Sequence, residues 1–199
     1  MNSLVCGMRL VTVLVGLWAG QALAFDLQGH RGARGLAPEN TLAGFRHALA
    51  VGVTTLELDV GITADGQVVI AHDPRLNPDL TRDAQGAWLA APGPALNTLT
   101  LAELQRFDVG RIKPGTRYAQ TFADQRGVDG ERVPTPAALF ELVRALGADQ
   151  VRFNIETKLS PLATALTPEP EAFARAVLDV VRQHGMAGRV TMQSFDWRS

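Results

Sequence analysis

Short apolar segments alternate with amphipathic ones along most of this chain, and this alternation limits the possible folds more than any other feature. Runs of aliphatic and β-branched residues predict strands, whereas apolar residues every three to four positions predict helices. Strands that alternate with helices are typical of parallel α/β architecture. We predict strands at 25–28, 54–60, 68–71, 151–156 and 189–195, and helices at 42–51, 101–107, 136–146 and 169–184.

The segment at about 74–135 breaks this alternation. It is irregular, rich in Pro, Gly, Asp and Asn, and contains a single predicted helix. A connection of this length in a compact domain is usually functional or an insertion. We therefore predict an insertion after the strand that ends at His72-Asp73.

Composition places the chain among ordinary globular domains, with 46% hydrophobic and 20% charged residues among 199. The formal net charge is -1 and no block of like charges stands out. This pattern argues against a nucleic-acid partner and against a polybasic membrane patch. Any anion must be bound by a local group of residues.

Residues 1–24 have the composition of a secretory signal peptide: Arg9, an apolar run at 10–18, and small residues at Ala22 and Ala24. The alternative is a membrane anchor, but the apolar run is shorter than the roughly 20 residues that span a bilayer. We expect export, to the periplasm of a two-membrane bacterium or otherwise to the medium. The mature chain, 25–199, would then have no stable membrane anchor. It would also have no thiol, because Cys6 is the only cysteine.

Glu57 and Asp59 are two residues apart on a predicted strand, so both side chains point to the same face. Two carboxylates on one face repel each other unless a cation lies between them, which favours a metal site. The alternative is a solvated edge strand with both acids in water. The pattern alone does not choose between them.

The Asp65-Gly66 dipeptide predicts a two-residue hairpin loop. Such a loop would place Asp59 directly across from His72, with Cβ atoms about 5 Å apart. If the two strands instead ran parallel, this pairing would be lost, although both residues could still face one mouth of a barrel.

His30 and Arg31 lie in a glycine-rich turn after the first strand, where small neighbours allow a ligand to approach closely. The arginine fork can bind two phosphate oxygens at once. A single loop histidine is usually inert, but His30 together with His72 offers an acid and a base.

The predicted strand at 151–156 repeats the pattern, because Asn154, Glu156 and Lys158 share one face. A third carboxylate and an ammonium group therefore occur together at the end of a strand. The alternative is a surface ion pair of little energetic value.

These residues fall within an ordered set of motifs that resembles the glycerophosphodiester phosphodiesterase family. The motifs are His30-Arg31-Gly32, Pro38-Glu39-Asn40-Thr41, Glu57-Leu58-Asp59-Val60, Thr63-Ala64-Asp65-Gly66 through His72-Asp73, and Asn154-Ile155-Glu156-Thr157-Lys158. Further landmarks extend the resemblance from about residue 28 to 195: Phe107-Asp108-Val109-Gly110, Val133-Pro134-Thr135-Pro136 and Gln193-Ser194-Phe195.

The resemblance implies a TIM-type (β/α) barrel with its site at the C-terminal ends of the strands. It implies metal-dependent hydrolysis of glycerophosphodiesters to glycerol 3-phosphate and an alcohol, as in glycerol and phospholipid degradation. The implied roles are one divalent cation on Glu57, Asp59 and Glu156, acid/base catalysis by His30 and His72, and phosphate or substrate binding by Arg31, Lys158 and Gln193. Independently, an all-oxygen ligand set favours Mg²⁺ or Ca²⁺ over zinc.

Two alternative functions remain open from the sequence. One is a related barrel phospholipase that acts on lipid substrates, although no strongly apolar exposed run supports it. The other is a non-catalytic binding or partner protein.

Length adds a further expectation. A TIM barrel usually has about 250 residues and eight strands, whereas removal of residues 1–24 from 199 leaves 175 residues, with five predicted strands. We therefore expect a C-terminally truncated barrel domain that is poorly soluble and weakly active, because an open parallel sheet leaves an unpaired edge.

Overall fold

The structure, a computed structural model, describes residues 25–198. Its helices and strands follow the order β1 Gln28–Gly29, α1 Leu42–Val51, β2 Thr55–Ile62, β3 Val68–Ile70, α2 Leu101–Leu104, α3 Arg117–Thr121, α4 Pro136–Ala145, β4 Arg152–Thr157, α5 Pro170–Gln183 and β5 Val190–Ser194. The predicted signal peptide lies outside the described residues. Within 25–198, none of the helices is long and apolar enough to cross a bilayer.

The five strands form one sheet in which β1, β2, β4 and β5 are neighbours in that order and run parallel. Helices α1, α4 and α5 lie in the connections between these parallel strands. The α/β prediction is confirmed, and the arrangement is that of part of a TIM-type barrel. Because the four strands are parallel, their carboxyl ends meet at one edge of the sheet.

Strand β3 is antiparallel to β2, as the hairpin prediction required, but its register differs from the predicted one. Val60 pairs with Ile70 and Gly61 pairs with Val69. Asp59 is therefore opposite Ala71, whose backbone N–H donates to the Asp59 carbonyl oxygen at 2.9 Å. The prediction that Asp59 pairs with His72 is wrong by one residue.

The register differs because the hairpin loop has three residues and not two. Thr63 pairs with Gln67 through a backbone hydrogen bond of 3.0 Å, and Gly66 adopts a left-handed conformation with φ of 75°. The Thr63 hydroxyl accepts the Gln67 N–H and donates to the Asp65 carboxylate. These side-chain bonds favour the longer loop, which shifts every pair in the hairpin by one position.

Strand β2 is buried on both of its faces. Leu56, Leu58 and Val60 pack into the main hydrophobic core together with α1, α4 and α5. Four phenylalanines in this core have no exposed surface: Phe45, Phe140, Phe153 and Phe173. Because side chains alternate along a strand, the intervening Glu57 and Asp59 point to the opposite face, away from the helices.

The insertion packs as a second, smaller core against β3. Val69, Leu76, Leu96, Leu104 and Val133 form this cluster. Its predicted helix at 101–107 is shorter in the structure and ends at Leu104, whereas α3 was not predicted.

The insertion also touches the glycine-rich loop that follows β1. The Gln125 side chain donates to the Arg34 carbonyl oxygen at 2.7 Å, and the Arg126 N–H donates to the Leu36 carbonyl oxygen at 2.9 Å. The insertion therefore packs against the loop that follows the carboxyl end of β1.

Candidate active site

Three carboxylates converge on one face of the neighbouring strands β2 and β4. Asp59 and Glu156 are direct cross-strand partners, and Glu57 lies two residues before Asp59 on the same face. One carboxylate oxygen from each of the three lies within 4.8 Å of the others. All three residues are buried. The structure thus brings together the acids that the sequence analysis selected, and the solvated-edge alternative is wrong.

The buried acids repel one another. Burial, together with the neighbouring Asp59 charge, raises the pKa of Glu57 to about 7. The backbone N–H of Arg31 opposes this effect by donating to Glu57 Oε2 at 2.6 Å. An additional positive charge between the carboxylates would remove the repulsion.

Two cationic side chains partly neutralise the cluster. Lys158 Nζ lies 2.6 Å from Glu156 Oε1 and 3.6 Å from Asp59 Oδ1. Arg31 Nε lies 3.1 Å from Asp59 Oδ2, an ion pair without hydrogen-bond geometry. Lys158 and Arg31 therefore border the acids from β4 and from the loop after β1.

The donor set fits a hard divalent cation. The buried Asp59 Oδ1 accepts no hydrogen bond from the described residues. The other carboxylate oxygen, Oδ2, accepts one from the Asn40 amide at 2.9 Å. An orphaned carboxylate oxygen beside two further carboxylates is suited to a cation that prefers oxygen ligands. The described ligand group contains neither histidine nor cysteine, so its donor atoms are all carboxylate oxygens.

The loop after β1 carries His30 and Arg31 to this cluster. Arg31 has a positive φ of 52°, a conformation that non-glycine residues rarely adopt. Its side chain is held by Glu39, which accepts from Nη1 at 2.7 Å. The backbone therefore directs the Arg31 N–H to Glu57 while the side chain turns toward Asp59.

His30 is the more exposed of the two loop residues, with 62% of its side chain accessible. Its Nε2 lies 3.9 Å from Glu57 Oε2. Desolvation, followed by the charges of Arg31 and Arg34, lowers the pKa of His30. A lowered pKa favours the neutral imidazole, which is the form that a general base requires.

His72 lies one residue beyond Ala71, which is the partner of Asp59 in the hairpin. Its Nδ1 is 2.8 Å from Asp73 Oδ1. The pKa of Asp73 is lowered: burial acts against this shift, but hydrogen bonds from His72 and Asn77 outweigh it. With Nδ1 donating to this carboxylate, Nε2 is left to meet a substrate.

A small cavity of about 60 Å³ adjoins His72. It lies between the end of β3 and the insertion, and its polar lining includes Asn40, Asp73, Asn77 and Gln125. Its size suits a small chemical group.

Gln193 lies beside Glu156 on β5, as cross-strand partners in the parallel register. Its Nε2 donates to Glu156 Oε2 at 3.2 Å, and its Oε1 accepts from the Asn154 amide at 2.8 Å. Glu156 is thus held at one oxygen by Lys158 and at the other by Gln193. The structure places Gln193 against an acid of the cluster, and the predicted contact with substrate stays a prediction.

Sequence reasoning missed the contributions of Glu39, Asn40 and Tyr118. Thr41 caps α1 by accepting the Gly44 N–H, whereas the Asn40 side-chain amide donates to Asp59. Asn40 has a φ of 52°, which asparagine tolerates better than most residues. The sequence signal for these roles was the Pro38-Glu39-Asn40-Thr41 motif. Thr41 is sufficient to cap the helix, so the presence of Glu39 in the motif indicates another role.

Comparison with known proteins is consistent with this geometry. Residues 30–199 match the model of the glycerophosphoryl diester phosphodiesterase family. A glycerophosphodiester phosphodiesterase of Caldanaerobacter subterraneus subsp. tengcongensis is 32% identical over 167 residues, which cover 84% of this chain and 56% of that protein.

Solved structures show the same relationship. A protein of Silicibacter pomeroyi DSS-3, provisionally assigned as a glycerophosphoryl diester phosphodiesterase, has a TM-score of 0.80 and 40% identity, covering 86% of this chain and 58% of that one. An Oleispira antarctica phosphodiesterase, solved with the product sn-glycerol-3-phosphate, has a TM-score of 0.61 and 27% identity over 86% of this chain and 58% of that one. This chain therefore spans a little over half the length of these relatives.

Proposed function

The chain belongs to the glycerophosphoryl diester phosphodiesterase family, and from this premise we propose that it catalyses metal-dependent hydrolysis of glycerophosphodiesters to glycerol 3-phosphate and an alcohol. One observation carries the proposal: three buried carboxylates converge within 4.8 Å beside an arginine, a lysine and a histidine. The sn-glycerol-3-phosphate complex of the Oleispira antarctica relative supports the choice of product.

Glu57, Asp59 and Glu156 would hold one Mg²⁺ or Ca²⁺. When bound, such an ion supplies positive charge that polarises a phosphoryl oxygen and stabilises negative charge in the transition state. Because Gln193 and Lys158 fix both oxygens of Glu156, this carboxylate enters the ligand set with little freedom to reorient.

Arg31 and Lys158 would bind the remaining phosphate oxygens. Both cations already border the acid cluster, so a phosphate that approaches the cluster meets positive charge from two sides. Donors placed in advance where charge accumulates lower the barrier without reorganisation during the reaction.

His30 and His72 would divide the proton transfers. The lowered pKa of His30 favours its neutral form, so it would remove the proton from the nucleophile. The nucleophile is either the adjacent glycerol hydroxyl, which gives a cyclic phosphate that water later opens, or water itself. His72 would protonate the departing alcohol from Nε2, and the small cavity beside it would accommodate that alcohol.

The proposal is tested by assaying glycerophosphocholine turnover in chelator and after addition of Mg²⁺ or Ca²⁺. We expect release of glycerol 3-phosphate only with a divalent ion. Turnover that persists in excess chelator would remove the metal role. Activity on micellar lysophospholipids but not on soluble diesters would favour the phospholipase alternative.

We also propose that the protein is exported, which rests on the composition of residues 1–24. N-terminal sequencing of the protein recovered from its source would show Phe25 as the first residue. A protein that retains residues 1–24 in the cytoplasm would contradict this.

A further inference from the structure

Tyr118 lies on the insertion, yet its hydroxyl reaches the loop that carries Arg31. It donates a hydrogen bond to Glu39 Oε2, and it accepts from Arg34 Nε at 3.0 Å and from Arg34 Nη2 at 2.6 Å. Burial and the neighbouring Glu39 charge raise the pKa of Tyr118 well above its usual range. The hydroxyl therefore keeps its proton and acts as a donor to Glu39.

Glu39 connects Tyr118 to Arg31. This buried carboxylate accepts from Arg31 Nη1 at one oxygen and from Tyr118 and Arg34 at the other. Its position therefore sets the direction of the Arg31 guanidinium. Among residues 25–198, no group accepts a hydrogen bond from Arg31 Nη2, which leaves this nitrogen available for a ligand oxygen.

We propose that Tyr118 is a positioning residue for the phosphate site, because its hydroxyl fixes the Glu39 carboxylate and thereby orients the Arg31 guanidinium. The inference rests on the proposed function, in which Arg31 binds the phosphate. It assigns to the insertion an indirect part in substrate binding, through Glu39 and Arg31.

Loss of the hydroxyl has a predictable consequence for Arg31. Without it, Arg34 Nη2 loses its acceptor and Glu39 loses a donor. Arg34, which already donates to Glu39, would then draw the carboxylate away from Arg31. The Arg31 guanidinium would no longer be held in one orientation, and binding of a phosphate would weaken.

The variant Tyr118→Phe removes the hydroxyl and keeps the ring, which lies 5.1 Å from the Phe122 ring and 5.2 Å from the Arg34 guanidinium. The matched control is Glu131→Ala, which removes another hydrogen bond of the insertion, the one that Glu131 Oε2 accepts from the Ala43 N–H of α1, without touching Glu39. Thermal unfolding of each variant reports whether the fold is intact.

The first measurement is the Kd for glycerol 3-phosphate in the presence of Mg²⁺ or Ca²⁺, by calorimetry. We expect Tyr118→Phe to raise this Kd by about fivefold, the effect of losing one hydrogen bond, and Glu131→Ala to leave it within twofold. Equal Kd values for Tyr118→Phe and the wild type, or equal weakening by both variants, would overturn the proposal.

The second measurement is a double-mutant cycle with Arg31→Ala. If Tyr118 acts through Arg31, Tyr118→Phe has no further effect on the Kd once Arg31 is gone. Additive effects would show that Tyr118 acts by another route. If Arg31→Ala does not fold, the comparison with Glu131→Ala decides alone.

Binding and turnover separate this inference from the proposed function. A wild-type protein that binds glycerol 3-phosphate but hydrolyses no diester would contradict the activity, and the Kd comparison would still decide the role of Tyr118. If the wild type binds no phosphate, both are wrong. Where turnover is present, we expect Tyr118→Phe to raise KM more than it lowers kcat.

Discussion

Asp59 and Glu156 are direct cross-strand neighbours in the parallel register of β2 and β4, although they lie on opposite sides of the insertion in the sequence. The register also places Glu57 beside Asn154 and Glu156 beside Gln193. The sheet itself therefore assembles the carboxylates, and the loops contribute the cationic and imidazole groups.

The first prediction concerns Asp59, whose Oδ1 accepts no hydrogen bond from the described residues. Asp59→Asn should abolish calorimetric binding of Mg²⁺ or Ca²⁺ and lower turnover by at least about 100-fold, because a charged ligand is lost. The control is Asp179→Asn on the exposed side of α5. Unchanged metal affinity in Asp59→Asn would contradict the assignment.

The second prediction is a pH dependence of the metal-free protein. Since the pKa of Glu57 is raised from 4.5 to about 7, the folded state binds a proton more tightly than the unfolded chain does. The contribution of Glu57 to the free energy of unfolding is fully present below pH 4.5 and is lost as pH rises through about 7. The loss is on the order of 3 kcal/mol.

Thermal unfolding in chelator should show this decline, and excess Mg²⁺ or Ca²⁺ should reverse it above pH 7, where the ion replaces the proton. Glu57→Gln should flatten the dependence in chelator. If the unfolding temperature of the wild-type protein in chelator rises between pH 4.5 and 7, and Glu57→Gln abolishes that rise, the raised pKa of Glu57 is contradicted.

The third prediction separates chemistry from binding. His30→Ala and His72→Ala should each lower kcat by about 100- to 10,000-fold, the usual contribution of general acid/base catalysis. Neither should abolish metal binding, because neither histidine belongs to the acid cluster. His47→Ala on the exposed face of α1 provides the control. Retained turnover in either variant would remove that histidine from the mechanism.

The sequence was sufficient to predict the acid cluster because period-two alternation depends only on the backbone. Glu57 and Asp59 must share a face wherever the strand lies, and β-rich segments separated by helices predict parallel neighbours. The family resemblance added the pairing with Glu156, and the structure confirms their convergence.

The prediction that Asp59 pairs with His72 was wrong because the register of the hairpin depends on its loop length. Asp65-Gly66 fits both a two-residue loop and the three-residue loop that forms, and the Thr63 hydroxyl contacts decide between them. Tyr118 was missed for another reason: its contact with Glu39 crosses from the insertion to the loop after β1, and no local pattern encodes that approach.

The last prediction reverses a general rule. Replacing a helical glycine with alanine usually stabilises a protein by about 1 kcal/mol. Gly44 lies within α1, but a Cβ at this position would overlap the Pro38 carbonyl oxygen, which is backbone and cannot move without displacing the turn. That turn carries Glu39 and Asn40, which hold Arg31 and Asp59.

Gly44→Ala should therefore destabilise the protein by about 1 to 3 kcal/mol, as overpacking of a close contact does, and should also weaken glycerol 3-phosphate binding. Gly188→Ala is the matched control, because a Cβ there meets nothing within 4 Å. Chemical denaturation of both variants measures the difference. A stabilised Gly44→Ala would show that the Pro38 turn can shift, and the turn would then not be the rigid support that holds Glu39 and Asn40 against the site.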